Sequence, residues 1–335
     1  KLEDLEKEFD YIRYEFIVYN KTSGSNILKS AQLYFETTTG HMSYGVIEEV
    51  DFGQNFVTPK TQEDYEAIEL EKHVKAISRK YKWADDVRKK NNKYEKEILT
   101  KDEGNDLYKL INVSGKGYQG FLVAIYDPSR IHLATTQYLG VRGESILTVS
   151  KRENAIIAMN AGGFYDPDWN SNGALPHGTV ISNGKIVSDF TDANVGGGFI
   201  GFDNNNKLIL GYMSKYDAIN RGIRDAVEFG PYLIVNGKRS FIKGNGGWGI
   251  APRTAIGQRQ DGIVLFLVIN GRLASSIGAD MVDLTDIMEN YGAYNAANLD
   301  GGSSSELIIN QEIINTPVAG GSNGLRNMST FWVVK

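Results

Sequence analysis

The chain has 335 residues, 41% of them hydrophobic and 23% charged, with a net charge of -5 and no cysteine. That length exceeds the roughly 100 to 200 residues of a usual single domain and implies two units, or one domain with a long appendage. The composition excludes disulfides, thiolate chemistry and sulfur-ligated zinc, offers no basic face for nucleic acid, and contains no run near the roughly 18 apolar residues of a membrane helix.

In chain order, only five glycines (Gly24, Gly40, Gly45, Gly53, Gly104) precede Asn112, whereas 40 of the 77 charged residues lie within the first 110 positions. This shift predicts a smaller helix-rich N-terminal appendage over 1–110 and a turn-rich sheet domain over 111–335. Leu2, Leu5, Phe9, Ile12, Phe16 and Tyr19 alternate at spacings of three and four, which places one apolar stripe on a helix. The seam is short for a coiled coil, and self-association through it stays open as an expectation. Ala31 to Val50 reads as a short hairpin broken by Gly40 and Gly45, and Gln62 to Ile98 as a second amphipathic helix. The Lys89 to Lys93 run reads as a solvated face, and His41 and His73 have no companion ligands in sequence.

From Ile111 onward the chain reads as strand after strand: Phe121 to Tyr126, Asn154 to Asn160, Phe199 to Phe202, Lys207 to Tyr212, Ile263 to Ile269, Leu307 to Ile309 and Thr330 to Val334. Asn183-Gly184, Asn236-Gly237, Asn270-Gly271 and Asp261-Gly262 are hairpin-turn signals, so antiparallel pairing is expected to dominate. Helices are expected near Lys215 to Arg221 and Asp280 to Tyr291, where Met281, Leu284, Ile287, Met288 and Tyr291 form an apolar face. The fold class is therefore α+β, a mostly antiparallel mixed sheet with a few helices.

Four glycine-rich segments place polar side chains at strand ends: Asn160 to Asp166, Gly230 to Tyr232, Ala251 to Gly257 and Asn298 to Ser305. Asp300 with Gly301, Gly302, Ser303 and Ser304 can set a carboxylate beside outward amides and hydroxyls, or can simply cap a tight turn. Arg253 suits bidentate phosphate binding or a structural ion pair, for example with Asp300. Asn160 suits a sugar hydroxyl or a turn cap, and Asp166 and Asp168 suit a solvated loop. His177 is of acid–base type but lacks a visible partner in sequence. Asp280, Asp283 and Asp286 read as a solvated helix face that favours the dipole. No metal set is evident; a divalent cation is compatible with the sequence without being required by it.

In combination, the segments NAGGFYD, GPYLIVNG, APRTAIGQRQDGIVLFLVINGR and NAANLDGGSSSEL resemble the phosphodiester glycosidase family, whose members include N-acetylglucosamine-1-phosphodiester α-N-acetylglucosaminidase-like and bacterial exopolysaccharide biosynthesis proteins. The resemblance runs from roughly Gly115 to Lys335 and leaves the appendage uncovered. It implies Asn160, Gly162, Gly163, Arg253, Asp300, Gly301 and Gly302 as site-forming residues. Asn270 stands where an aspartate is frequent, Ser303 where a glycine is common, and His177 where no residue is invariant.

A sugar-1-phosphate diester carries a good leaving group, so a single carboxylate can suffice for cleavage at C1. Asp300 would activate water, attack C1 or stabilise the oxocarbenium-like transition state. Arg253, the Gly301 and Gly302 amides and Ser303 or Ser304 would hold the phosphate, with Gly162, Gly163 and His177 contacting substrate and Asn160 orienting the sugar. The expected partner is a phosphodiester-linked glycan outside a bacterial cytoplasm, with a membrane anchor upstream of Lys1 compatible with that setting. A phosphodiesterase cleaving P–O and a non-catalytic glycan-binding envelope protein are the alternatives.

Overall fold

The structure, a computed structural model, describes the strand backbones 16–20, 28–36 and 42–47 and residues 92–167, 171–190, 198–240, 242, 247–319 and 324–335. Two compact units divide the chain: Lys1–Asp86 with Ser240–Lys243, and Val87–Arg239 with Gly244–Lys335.

In the first unit, β1 (Phe16–Asn20), β2 (Leu28–Glu36) and β3 (Met42–Ile47) form an antiparallel sheet in that order. The β2–β3 hairpin overlaps the Ala31 to Val50 span expected for one and begins three residues earlier, and Gly45 pairs with Leu33 inside β3 and does not break the strand. Phe16 and Tyr19, expected on a helix, lie in β1. Phe-Ile-Val-Tyr is aromatic and β-branched throughout, and such a run suits a pleated strand despite its helical spacing. The earlier seam positions, and the expected helix as far as Asn91, lie outside the described residues.

The second unit opens with α1 (Asn92–Leu99), followed by β4 (Tyr108–Gly115), β5 (Tyr118–Ile125), β6 (Ile131–Thr135), β7 (Glu144–Ser145), α2 (Ile146–Arg152) and β8 (Ile157–Asn160). Next come β9 (Gly178–Ser182), β10 (Lys185–Phe190), β11 (Gly198–Asp203), β12 (Leu208–Gly211), α3 (Lys215–Asn220), β13 (Ile223–Phe229), β14 (Tyr232–Val235) and β15 (Lys238–Arg239). The chain closes with β16 (Arg253–Arg259), β17 (Val264–Ile269), α4 (Met281–Asn290), β18 (Ala293–Asn298), β19 (Leu307–Ile309), β20 (Glu312–Ile313), β21 (Asn327–Met328) and β22 (Thr330–Val334).

These strands form a seven-stranded sheet (β15-β14-β18-β16-β17-β5-β4), two five-stranded sheets (β10-β9-β13-β11-β12 and β20-β19-β8-β22-β6) and the pair β21-β7. Pairing is antiparallel throughout these sheets.

Every residue of β16 and β17 is buried: β17 is a continuous apolar run, whereas β16 buries Arg253, Thr254, Gln258 and Arg259 with their polar groups hydrogen-bonded. Helix α4 packs over β16 at Gly257, where a Cβ would lie 3.0 Å from the Met288 sulfur. Gln258 and Asn295 stitch β12 to the same sheet: Leu208 N–H donates to Gln258 Oε1 at 2.6 Å, and Asn295 Nδ2 donates to the Leu208 carbonyl at 3.2 Å. The two five-stranded sheets meet through Phe202 and Trp332, edge to face at 5.5 Å. Helix α1 is locked to β16 by Glu95, which with Asp261 pairs with the buried Arg259 guanidinium, and to the C-terminal end of α4 by Tyr94, which packs edge-on against Tyr291 at 5.0 Å.

Turn chemistry follows the Asn-Gly signals at Asn183-Gly184 (φ 51° and 71°) and Asn236-Gly237 (φ 47° and 74°), both positive as a type I′ hairpin requires. Asn270-Gly271 behaves otherwise. Neither residue takes a positive φ, which falls on Arg272 at 57°. Gly271 is needed because a Cβ there would lie 2.4 Å from the Pro252 nitrogen. Asp280 caps α4 and closes a reciprocal capping box with Asp283, while Asp286 pairs with Arg239.

Candidate active site

The ends of β8, β16 and β18 converge through Asn160. This buried amide donates from Nδ2 to the Asp300 carbonyl at 2.7 Å, while its Oδ1 accepts from Thr254 Oγ1 at 2.8 Å and from the Glu306 amide at 3.2 Å. Both polar ends of the side chain are thus committed to the frame of the Asp300 turn, a positioning task distinct from contact with a sugar. Asp300 N–H donates to the Ala161 carbonyl at 3.1 Å, Leu299 N–H to the Thr254 carbonyl at 2.9 Å and Gly302 N–H to the Pro252 carbonyl at 2.8 Å. Gly301 is demanded by this approach, since a Cβ would lie 2.9 Å from the Pro252 oxygen, and Gly302 holds a left-handed φ of 62° to start the 3₁₀ turn Gly302–Ser304.

Burial pushes the Asp300 carboxyl up to about 6. The Ser304 hydroxyl, the Arg326 guanidinium and the Gly301 amide oppose that rise, and nearby Asp166 adds to it. Asp166 pairs with Arg326 and accepts from the Ser171 amide at 2.6 Å, so this loop aspartate is held in the cluster and not merely solvated; Asp168 lies outside the described residues. The Arg326 guanidinium also lies 4.7 Å over the Phe164 ring. Below this cluster Glu306 is fully buried, with Oε1 accepting from the Arg326 amide at 2.7 Å, and burial lifts its carboxyl to about 8 against the pull of Arg326.

Arg253 forms no ion pair with Asp300. Its Nε donates to the Ala279 carbonyl at 3.2 Å and its Nη2 to the Trp248 and Gly249 carbonyls at 2.8 and 2.5 Å, while Nη1 lies 3.6 Å from where a Gly301 Cβ would be. Burial lowers its pKa, with Asp280 opposing and Arg272 adding to that effect. Arg272 is the exposed cation at this turn: its Nη1 donates to Ser303 Oγ at 3.1 Å, and its Nη2 lies 3.2 Å from the Cβ position of Gly302.

On the opposite rim, Gly162 N–H donates to Thr330 Oγ1 at 3.1 Å, and a Cβ at Gly163 would lie 2.8 Å from the Phe229 ring and 3.4 Å from His177 Cδ2. The His177 amide donates to the Gly163 carbonyl at 2.9 Å. One position on, Gly178 (φ 68°) makes room for Glu228, whose half-buried carboxyl is raised by burial and lowered by its bonds with Thr179. The Gly230 to Tyr232 segment is tied in by Asn298, whose Nδ2 donates to the Gly230 carbonyl at 2.9 Å.

The structure therefore gathers Asn160, Gly162, Gly163, Arg253, Asp300, Gly301, Gly302, Ser303, Ser304 and His177 around two glycine turns that adjoin through the Asp300 amide and the Ala161 carbonyl. Sequence reasoning missed Glu306, Arg326, Arg272 and Glu228. The INGR stretch held a cue for Arg272, whereas nothing local marked the others. Among the described residues no group of three or more His, Asp or Glu side chains gathers as a metal-binding set. None of the described helices is long and apolar enough to cross a membrane.

The SPbeta prophage-derived uncharacterized protein YomE of Bacillus subtilis (strain 168) is 30% identical over 200 residues, which cover 57% of this chain and 30% of that relative. The chain thus spans less than a third of that relative's length. The zebrafish N-acetylglucosamine-1-phosphodiester α-N-acetylglucosaminidase catalytic domain, solved auto-inhibited by its pro-peptide, has the same fold: TM-score 0.55 and 18% identity over 70% of this chain and 85% of that one. A hypothetical protein from Synechocystis aligns with a TM-score of 0.48 at 17% identity, covering 68% of this chain and 61% of that one. The family model for phosphodiester glycosidases matches residues 153–335, more than half of the chain and the span that carries the Asn160, Arg253 and Asp300 turns. On that match, the chain belongs to the phosphodiester glycosidase family.

Proposed function

We propose that the chain hydrolyses sugar-1-phosphate diesters at the glycosidic C–O bond, with Asp300 as the reacting carboxylate. The observation that carries this reading is the Asp300 turn. A desolvated carboxyl near 6 accepts from the Gly301 amide, in a turn whose Ser303 hydroxyl takes the exposed Arg272. At neutral pH Asp300 is mostly ionised, so it can attack C1, activate water or stabilise an oxocarbenium-like transition state. The departing phosphate monoester needs no strong general acid. Its charge would be met by Arg272 and by Ser303, since the Gly302 amide is spent on the Pro252 carbonyl and Arg253 on the Ala279, Trp248 and Gly249 carbonyls.

The name of the zebrafish neighbour supports an N-acetylglucosamine-1-phosphodiester as substrate, and a polymer of the bacterial surface, outside the cytoplasm, is the setting proposed for it. The test is incubation with an alkyl-phosphate-linked α-N-acetylglucosamine in oxygen-18 water, followed by mass spectrometry of both products. Label in the sugar is expected. Label in the phosphate would replace this reading with P–O cleavage, and absence of turnover across a broad panel would favour a binding module.

A further inference from the structure

Two aromatic side chains at the edge of the site have no part in the chemistry above. Trp248 is 49% exposed, although the indole is among the side chains that gain most from burial. Single exposed aromatics are ordinary on protein surfaces, but this one is held from two directions. Its carbonyl accepts from Arg253 Nη2 at 2.8 Å, and its ring lies 6.3 Å from that of Phe229, tilted by 45°. Phe229 rests on the other turn, where a Cβ at Gly163 would lie 2.8 Å from its ring, and Arg253 reaches toward Gly301. The ring pair thus adjoins the Gly162–Gly163 turn through Phe229, while the main chain of Trp248 is tied through Arg253 to the neighbourhood of Gly301.

We propose that Trp248, backed by Phe229, is the stacking platform for a pyranose ring of the substrate, a saccharide subsite beside Asp300; this rests on reading the site as one that acts on sugar phosphodiesters. A pyranose presents a face of C–H groups with its hydroxyls at the ring edge. An indole face takes that surface through dispersion and through attraction of the polarised C–H groups to its π-cloud, and leaves the hydroxyls free for polar partners. Ligand sites commonly combine such an aromatic wall with a few convergent polar groups, here Asp300 and Arg272.

The test compares wild type, Trp248→Ala and Trp248→Phe in two assays. In steady state with glycerol-phospho-α-N-acetylglucosamine, Trp248→Ala should raise KM about tenfold with kcat within about twofold, and Trp248→Phe should recover most of the loss. In ligand-observed NMR, which requires no turnover, free N-acetylglucosamine should bind wild type and lose binding in Trp248→Ala, while uridine should show no dependence on Trp248. Trp248-dependent sugar binding without turnover would support the subsite and sink only the hydrolase reading. Normal turnover with unchanged KM in Trp248→Ala would sink only the subsite. Uridine binding that depends on Trp248, or a wild type that binds no sugar, would overturn the proposal.

Discussion

Replacing Glu306 by Gln should stabilise the protein at alkaline pH and leave it nearly unchanged at pH 5. The Glu306 carboxyl is fully buried and lifted from an ordinary 4.5 to about 8, so the folded state holds a proton that the unfolded state has released over that interval. Because the native form binds more protons, stability falls as pH rises from about 4.5 and levels off above about 8. At about 1.36 kcal/mol per pH unit the ceiling is on the order of 5 kcal/mol; water penetration and relaxation bring the expectation nearer to about 2 kcal/mol. Glutamine keeps the oxygen that accepts the Arg326 amide and removes the charge. For a unit of this size, about 2 kcal/mol corresponds to a rise in Tm of about 4–8 °C. Thermal denaturation followed by circular dichroism at pH 5 and pH 9 reads the difference directly. An equal shift at both values, or destabilisation confined to pH 9, would refute a neutral buried Glu306.

Asp300→Asn should abolish turnover while preserving the wild-type far-UV spectrum, and wild-type kcat/KM should rise with pH through about 6 as Asp300 ionises; retained activity in the variant would remove its assigned role. Arg272→Ala should raise KM for a phosphodiester substrate about tenfold and leave Tm within about 2 °C, since this exposed side chain makes one hydrogen bond to Ser303; an unchanged KM would exclude it from the phosphate cradle. Asn160→Leu should cost about 3 kcal/mol or more in urea denaturation, because it orphans three polar partners at the junction of β8, β16 and the Asp300 turn. Gly163→Ala should both destabilise by about 1–3 kcal/mol and impair turnover, as its Cβ would drive into Phe229.

What the amino-acid sequence determined by itself was whatever depends on near neighbours in the chain. The strands Leu307–Ile309 and Thr330–Val334 and the helix capped by Asp280 follow from runs, periodicity and a side chain that bonds three residues ahead. The turns at Asn183-Gly184 and Asn236-Gly237 follow from the ease with which these residues take positive φ. Local spacing misled at Phe16 and Tyr19, where a three-residue interval in a β-branched run fits either structure. At Asn270-Gly271 the glycine answers to Pro252, not to a hairpin.

Only the tertiary structure decided how the site is wired. Asn160 meets the Asp300 carbonyl across 140 positions and the Glu306 amide across 146, and Arg326 meets Asp166 across 160. Asn160, which in sequence suited either a sugar hydroxyl or a turn cap, has both polar ends engaged around the Asp300 turn, and Arg253 is spent on main-chain carbonyls while Arg272 is exposed. The shifts at Asp300 and Glu306 belong to the same class: desolvation is a property of what surrounds a carboxyl in space, and no local pattern of residue types encodes it.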